Sequence, residues 1–261
     1  MPAGLHSQTP PESQRDGYMK PRRRSSFSAP LMFAVVVVAM IFVMSVFFRI
    51  SDIEIVGNTH YTDEEIIRAI AMEEGDNLFF FDHFSTMARV FSKLPYIDQV
   101  VSVERRLPNK IVITVEESTA LAYLELGDEQ WTMDRNCKIL GKAAEGETES
   151  LIPVVGIKPG TLLIGEPLQT EDGDEEILDY LRQVLYQLEE RGLYDQTSRV
   201  DFSDPKSPEF DYGGKYTVVL GDSNDLERKF GMFVNVLGKL KPGDIGVIDV
   251  SNGINAHFSP N

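Results

Sequence analysis

Chemically reactive side chains are scarce in this sequence. It has 261 residues, of which one is cysteine, Cys137, one is tryptophan and four are histidines. A single cysteine cannot form an intramolecular disulfide, so apolar packing has to hold the folded part together. No two of the histidines, His6, His60, His83 and His257, have the spacing of metal ligands. The sequence therefore predicts a chain that has no metal site and no cofactor and is not an enzyme.

One segment could still support catalysis. A predicted strand is followed by Gly-Asp-Ser, ending at Ser223, which resembles the nucleophile block of GDSL-type esterases. That block normally opens its domain, whereas here it lies late in the sequence. The Asp-x-x-His that supplies the base is absent, since Ile254 stands three residues before His257. We therefore favour a turn in which Asp222, Ser223 or Asn224 caps the next helix, and keep a membrane-anchored esterase as the alternative.

Long hydrophobic runs are also absent, except at residues 31–48. This run of 18 residues has no charge, and as a helix it would be about 27 Å long, close to the ~30 Å hydrocarbon core of a bilayer. A cleaved signal peptide would end in small residues, but this run ends in Val46, Phe47 and Phe48. We therefore predict a transmembrane helix over residues 29–49.

The charge distribution predicts the orientation of this helix. Basic residues at 20–24 precede the apolar run, as is typical of the cytoplasmic side. Residues 1–28 have almost nothing apolar to bury and are predicted to be a disordered, basic cytoplasmic tail. The remainder of the chain is then extracytoplasmic. The whole chain carries −16 and residues 50–261 carry −20, a charge that disfavours binding to nucleic acid.

Residues 50–118 have the pattern of a small α+β unit. A short strand is followed by Thr62 and Glu65, which have capping-box spacing and begin a helix. Apolar residues at helical spacing predict a second helix over residues 84–91. Alternating apolar residues then predict two strands, at 97–105 and 110–117.

The sequence pattern of residues 119–261 predicts a larger mixed β-sheet with two helices. Short apolar segments are separated by Gly, Asp and Asn, as hairpin turns require. Amphipathic patterns over 174–191 and 225–240 predict the helices. The Asn-Gly pair near the end predicts a hairpin between strands at 246–250 and 254–258.

Several stretches together resemble one protein family. The segments ISDIEIVGNTHYTDEEI, NLFFFD and LPYIDQVVSVERRLPNKIVITVEESTALAYL resemble a POTRA domain. A POTRA domain directly after one transmembrane helix resembles the FtsQ/DivIB family of bacterial division proteins, and WTMDRNCKIL and LIPVVGI resemble later segments of that family. The implied fold class is α+β: an N-terminal transmembrane helix, a small βααββ POTRA domain at 50–118 and an extracytoplasmic β domain at 119–261, with two helices flanking its mixed sheet.

The resemblance also implies a function. Members of the family are bitopic scaffolds at the division septum of the bacterial cell membrane. They bind FtsB/DivIC-like and FtsL-like proteins outside the membrane, and through them are linked to septal peptidoglycan synthases. Because the sequence contains no catalytic constellation, we expect no small-molecule substrate. A POTRA-type export chaperone is the other alternative, and it would bind unfolded chains instead.

The family's last strand is an edge to which a partner strand adds, because edge strands offer unpaired backbone groups. The matching stretch here is Val250, Ser251, Asn252, Gly253, Ile254, Asn255, Ala256, His257 and Phe258. As a strand, this stretch would place Ile254, Ala256 and Phe258 on one face and Asn255 and His257 on the other.

Overall fold

One long apolar helix begins the described part of the chain. The structure is a computed structural model that describes residues 28–72, 75–79 and 93–260. Helix α1 covers Ser28–Phe47. Its stretch Ala29–Phe47 is exposed, and among the described residues it is the one helix with the length and composition to cross a membrane. The predicted helix, 29–49, therefore extends two residues beyond the observed end at Phe47.

The next elements form a three-stranded sheet with one described helix, which we call the small lobe. Its elements are β1 (Asp52–Val56), α2 (Asp63–Ile70), β2 (Ile97–Arg106) and β3 (Lys110–Glu117). Strand β3 is central, parallel to β1 and antiparallel to β2. Thr62 and Glu65 form the predicted capping box at the start of α2. The helix predicted over residues 84–91 lies outside the described residues.

The following elements form a nine-stranded mixed sheet with two helices, which we call the large lobe. Its strands are β4 (Ala122–Leu126), β5 (Glu129–Met133), β6 (Ile139–Lys142), β7 (Ile152–Val155), β8 (Thr197–Asp201), β9 (Glu209–Tyr212), β10 (Tyr216–Val219), β11 (Gly246–Asp249) and β12 (His257–Pro260). Their order across the sheet is β12-β11-β10-β9-β8-β7-β4-β5-β6. The helices are α3 (Glu175–Glu190) and α4 (Leu226–Leu237). The predicted α+β class and the mixed sheet with two helices are confirmed.

Both helices of the large lobe contribute to its core. Asp174 caps α3 by accepting hydrogen bonds from the backbone N–H groups of Glu176 and Ile177. In α4, the ring of Phe230 stacks on Phe210 of β9 at 5.4 Å between centroids, and Phe233 meets the same ring edge-on at 5.3 Å. Burial alternates along β9 and β10, so one face of the sheet is covered while the other is partly exposed.

Polar contacts connect the small and large lobes. The Lys138 Nζ donates to the backbone carbonyl of Ile97 at 3.3 Å and lies 3.4 Å from the Asp98 carboxylate. The Ser118 hydroxyl donates to Asp134 at 3.0 Å. The Asp134 carboxylate is buried and also accepts the backbone N–H of Lys138. These bonds satisfy buried charge at the point where the chain passes from one sheet to the other.

Candidate partner-binding edge

Strand β12 is the last strand at one margin of the nine-stranded sheet. It pairs with β11 in antiparallel register, with Ile248 opposite Phe258 and Gly246 opposite Pro260. No other strand of the described chain pairs with its outer side. Backbone groups on that side are therefore open to a partner strand.

The neighbouring hydrogen bonds determine which residues of β11 face β12. The backbone N–H of Gly246 donates to the Lys215 carbonyl, and that of Val250 donates to the Val219 carbonyl. Both bonds point toward β10. Because backbone groups alternate in direction along a strand, Val247 and Asp249 must point the opposite way, toward β12.

It follows that β12 presents few backbone groups at its outer side. Ser259 and His257 stand opposite Val247 and Asp249, so their backbone groups are directed toward β11. Those of Phe258 and Pro260 are directed outward. Proline has no N–H, so the outer side of β12 offers the N–H of Phe258 and the carbonyls of both residues.

The side chains of β12 differ in exposure. The Phe258 ring is half-buried, packs against the core of the large lobe and meets the Tyr216 ring edge-on at 6.3 Å. His257, Ser259 and Pro260 are exposed. Phe258 thus anchors the strand to the sheet while its neighbours remain accessible.

The predicted strand boundaries at this edge are wrong. Residues 251–256 form a loop, since the Asn252 side-chain oxygen accepts the backbone N–H groups of Ile254 at 2.8 Å and Asn255 at 2.9 Å. These bonds compete with strand pairing, and β12 begins at His257.

Because β12 begins later than predicted, its residues do not divide between two faces as predicted. Ile254 is 67% exposed, whereas Ala256 and Phe258 pack against the core. Val250 and Gly253 are buried. Of the nine residues predicted to bind a partner strand, two lie in β12, and their role in binding stays a prediction.

A glycine allows β12 to lie close to β11. A Cβ atom at Gly246 would collide with the backbone oxygen of Ser259 and crowd Pro260. The absence of a side chain at this position is therefore a condition for the pairing of β12. Sequence reasoning did not identify this residue, because its backbone φ is not in the left-handed region.

A buried lysine supports the loop behind the edge. The Lys229 Nζ donates to the backbone carbonyl and to the carboxylate of Asp222, at 2.7 Å each. The hydrogen bond from Lys229 holds the pKa of the Asp222 carboxyl below its usual value. Next to it, Gly221 lies so close to Ser251 that a Cβ would collide with that residue. The turn after β10 thus braces the loop that leads into β12.

The turn at residues 221–223, whose sequence resembles an esterase block, takes part in the hydrogen bonding of the fold. The Tyr180 hydroxyl donates toward the Gly221 and Asp222 carbonyls, at 2.9 Å each. Within the described residues, no hydrogen bond connects Ser223 to a histidine. The prediction that Asp222, Ser223 or Asn224 caps α4 is wrong, because the N-cap is Asp225, which makes no side-chain cap bond. Across the described ranges, no group of three metal-ligating side chains could hold an ion.

Comparisons with known proteins agree with this architecture. Residues 48–118 match the family model described as "POTRA domain, FtsQ-type". The chain is 28% identical over 228 residues to the cell division protein DivIB of Clostridium botulinum strain Hall, covering 83% of this chain and 87% of that protein. It is 24% identical over 208 residues to the cell division protein DivIB of Clostridium tetani, covering 78% and 77% respectively. The predicted resemblance to FtsQ/DivIB proteins is confirmed.

Proposed function

We propose that this chain is a bitopic scaffold protein of bacterial cell division. In this proposal α1 anchors it in the cell membrane, the basic segment at 20–24 stays in the cytoplasm, and both lobes lie outside at the division septum. The similarity to DivIB proteins over most of the chain supports a role in division. The asymmetry of basic residues around α1 supports the orientation.

The proposed activity is the capture of FtsB/DivIC-like and FtsL-like proteins, which would link the chain indirectly to septal peptidoglycan synthases. The observation that carries this proposal is the unpaired outer side of β12. A partner strand added there would accept the Phe258 N–H and donate to the carbonyls of Phe258 and Pro260. The exposed His257 and Ser259 side chains flank that contact.

The most specific test adds a backbone hydrogen-bond donor to the outer side of β12. Pro260→Ala supplies an outward N–H, so we expect binding of the organism's own DivIC-like partner to tighten by about three- to tenfold, the value of one hydrogen bond. Phe258→Pro should weaken binding relative to Phe258→Ala, since both variants lose the ring but only the first loses the N–H. Affinity would be measured on the full chain in detergent micelles, with circular dichroism to check folding.

Several outcomes would contradict the proposal. Equal affinities for the wild type and Pro260→Ala, and for the two Phe258 variants, would rule out strand addition at β12. Preferential binding of unfolded chains over the DivIC-like protein would favour the export-chaperone alternative. A topology reporter fused to the C-terminal end that is active in the cytoplasm would overturn the orientation.

A further inference from the structure

The small lobe begins directly where the apolar helix ends. Phe47 is the last residue of α1, and Phe48 packs against the core of the small lobe. The backbone carbonyl of Phe48 accepts the N–H of Leu78 at 2.8 Å. The N–H of Ile50 donates to the Asp76 carbonyl at 2.7 Å. The first residues after α1 are therefore hydrogen-bonded into the lobe.

Aromatic side chains are exposed at this end of the small lobe. Phe79 meets the Phe48 ring edge-on, at 4.9 Å between centroids, and is 45% exposed. The Phe47 ring lies 6.3 Å from that of Phe48 and is 67% exposed. We call these three rings the aromatic cluster. It lies at the point where the chain leaves α1.

The turn between β2 and β3 lies at the same end of the small lobe. The backbone carbonyl of Asn109 accepts the N–H groups of Ser51 at 3.0 Å and of Asp52 at 3.4 Å. Strand β3 runs parallel to β1, so the turn that precedes β3 lies beside the segment that leads from α1 into β1. Leu107 is part of this turn and is 64% exposed. An exposed aliphatic side chain thus accompanies the aromatic cluster.

We propose that the aromatic cluster and Leu107 insert into the interface of the bilayer that α1 crosses, which docks the small lobe on the membrane surface. Phe47 ends a helix whose length matches the hydrocarbon core, so the rings beside it come at the boundary between acyl chains and headgroups. Aromatic and leucine side chains are favoured at this boundary. The inference rests on the membrane span of α1 in the proposed function, but not on its orientation or on strand addition at β12.

The charges at this end do not select an anionic lipid. Its four basic and four acidic side chains are Arg49, Arg105, Arg106, Lys110, Asp52, Glu54, Asp76 and Glu104. Lys110 pairs with both Asp52 and Glu54, at 2.9 Å each. We therefore expect the contact to depend on the burial of apolar surface and to form on zwitterionic lipid.

Tryptophan fluorescence of the full chain in phosphatidylcholine liposomes tests the contact. The chain's one tryptophan, Trp131, is 8% exposed in the core of the large lobe, so the wild type gives the background. Phe79→Trp and Leu107→Trp each add a reporter at the proposed contact. The quencher is phosphatidylcholine with bromine atoms near the headgroup end of one acyl chain. Val38→Trp, within α1, reports the membrane span, with bromine atoms near the methyl end of the chain.

Val101→Trp is the matched control. Val101 is 57% exposed on β2 and precedes Leu107 by six residues, about 20 Å of extended chain. Tryptophan itself favours the membrane interface, and this control measures that effect at a site away from the proposed contact. Circular dichroism compares the folding of all variants with that of the wild type.

We expect the brominated lipid to remove at least about half of the added fluorescence at residues 79 and 107, since interfacial side chains lie about 5–10 Å into the boundary. The added fluorescence at residue 101 should not change. About 0.5 M NaCl should leave the quenching unaltered, because screening by salt acts on charges and the contact is apolar.

Three outcomes would overturn the inference. Quenching at residue 38 without quenching at residues 79 and 107 would do so while leaving the membrane span intact. Equal quenching at residues 79 and 101, or quenching that requires anionic lipid, would show a different contact. Absence of quenching at residue 38 would overturn the membrane span of α1, and the inference with it.

Discussion

At the scale of single residues, the ion pair between Lys229 and Asp222 contributes to the stability of the fold behind β12. The Lys229 side chain is 2% exposed, while the Asp222 side chain is 62% exposed. A buried ammonium without a compensating charge destabilises a fold. We therefore expect Asp222→Asn to lower the free energy of unfolding by about 1 kcal/mol near neutral pH, a value reduced by the exposure of the carboxylate.

The pH dependence of this effect has a defined sign. The pKa of Asp222 is lower in the folded chain than its usual value, so its carboxylate stabilises the fold above the unfolded pKa of about 3.9. That contribution is lost as the pH falls through the folded pKa. Urea unfolding of the wild type and of Asp222→Asn should therefore converge at low pH. Asp195→Asn, at an exposed site, is the control and should stay within about 0.5 kcal/mol of the wild type at every pH.

At the scale of elements, the pairing of β12 depends on a glycine in the neighbouring strand β11. Because a Cβ at Gly246 would collide with the Ser259 backbone, we expect Gly246→Ala to push β12 away from β11. Hydrogen exchange should then speed up at the His257 and Ser259 amides, which point toward β11, and binding of the DivIC-like partner should weaken. Unchanged exchange in β12 would show that the strand does not need this contact.

Gly243→Ala is the matched control for this experiment. Gly243 has open space around its position and no left-handed φ. Its replacement should leave exchange in β12 and partner binding unchanged. A loss of binding in both variants would point to a general effect on the loop before β11 instead.

A helix with a clear apolar stripe was predicted well, whereas the strand boundaries of the last hairpin were not. The apolar stripe of α3, from Ile177 to Leu188, defines that helix without reference to the rest of the fold. The Asn-Gly pair predicted a tight hairpin, but the Asn252 side chain accepts hydrogen bonds from the backbone N–H groups of Ile254 and Asn255, so these residues form a loop.

A last strand at the sheet margin was predicted, but it begins at His257 and not at Ile254. Its outward groups could be assigned only from the hydrogen bonds between β10 and β11.

At the scale of the whole molecule, the single cysteine can report on unfolding. Cys137 is buried in the core of the large lobe, and burial raises the pKa of its thiol to about 12. At neutral pH the thiol is therefore protonated and shielded, and it should not react with iodoacetamide in the folded protein. Its rate of labelling in increasing urea should follow the unfolding measured by circular dichroism. Fast labelling in native buffer would contradict this burial, and Ser223→Cys, at an exposed site, is the positive control.

The single outward N–H at β12 limits how strongly this edge can hold anything. Three backbone hydrogen bonds contribute about 1.5–4.5 kcal/mol in total, which by itself corresponds to dissociation constants in the millimolar range or weaker. Strand addition at β12 alone is therefore readily reversible, and two copies of the chain gain little by pairing through their β12 strands. In the proposed function, a partner anchored in the same membrane would occupy this edge for longer, because tethering raises the effective concentration.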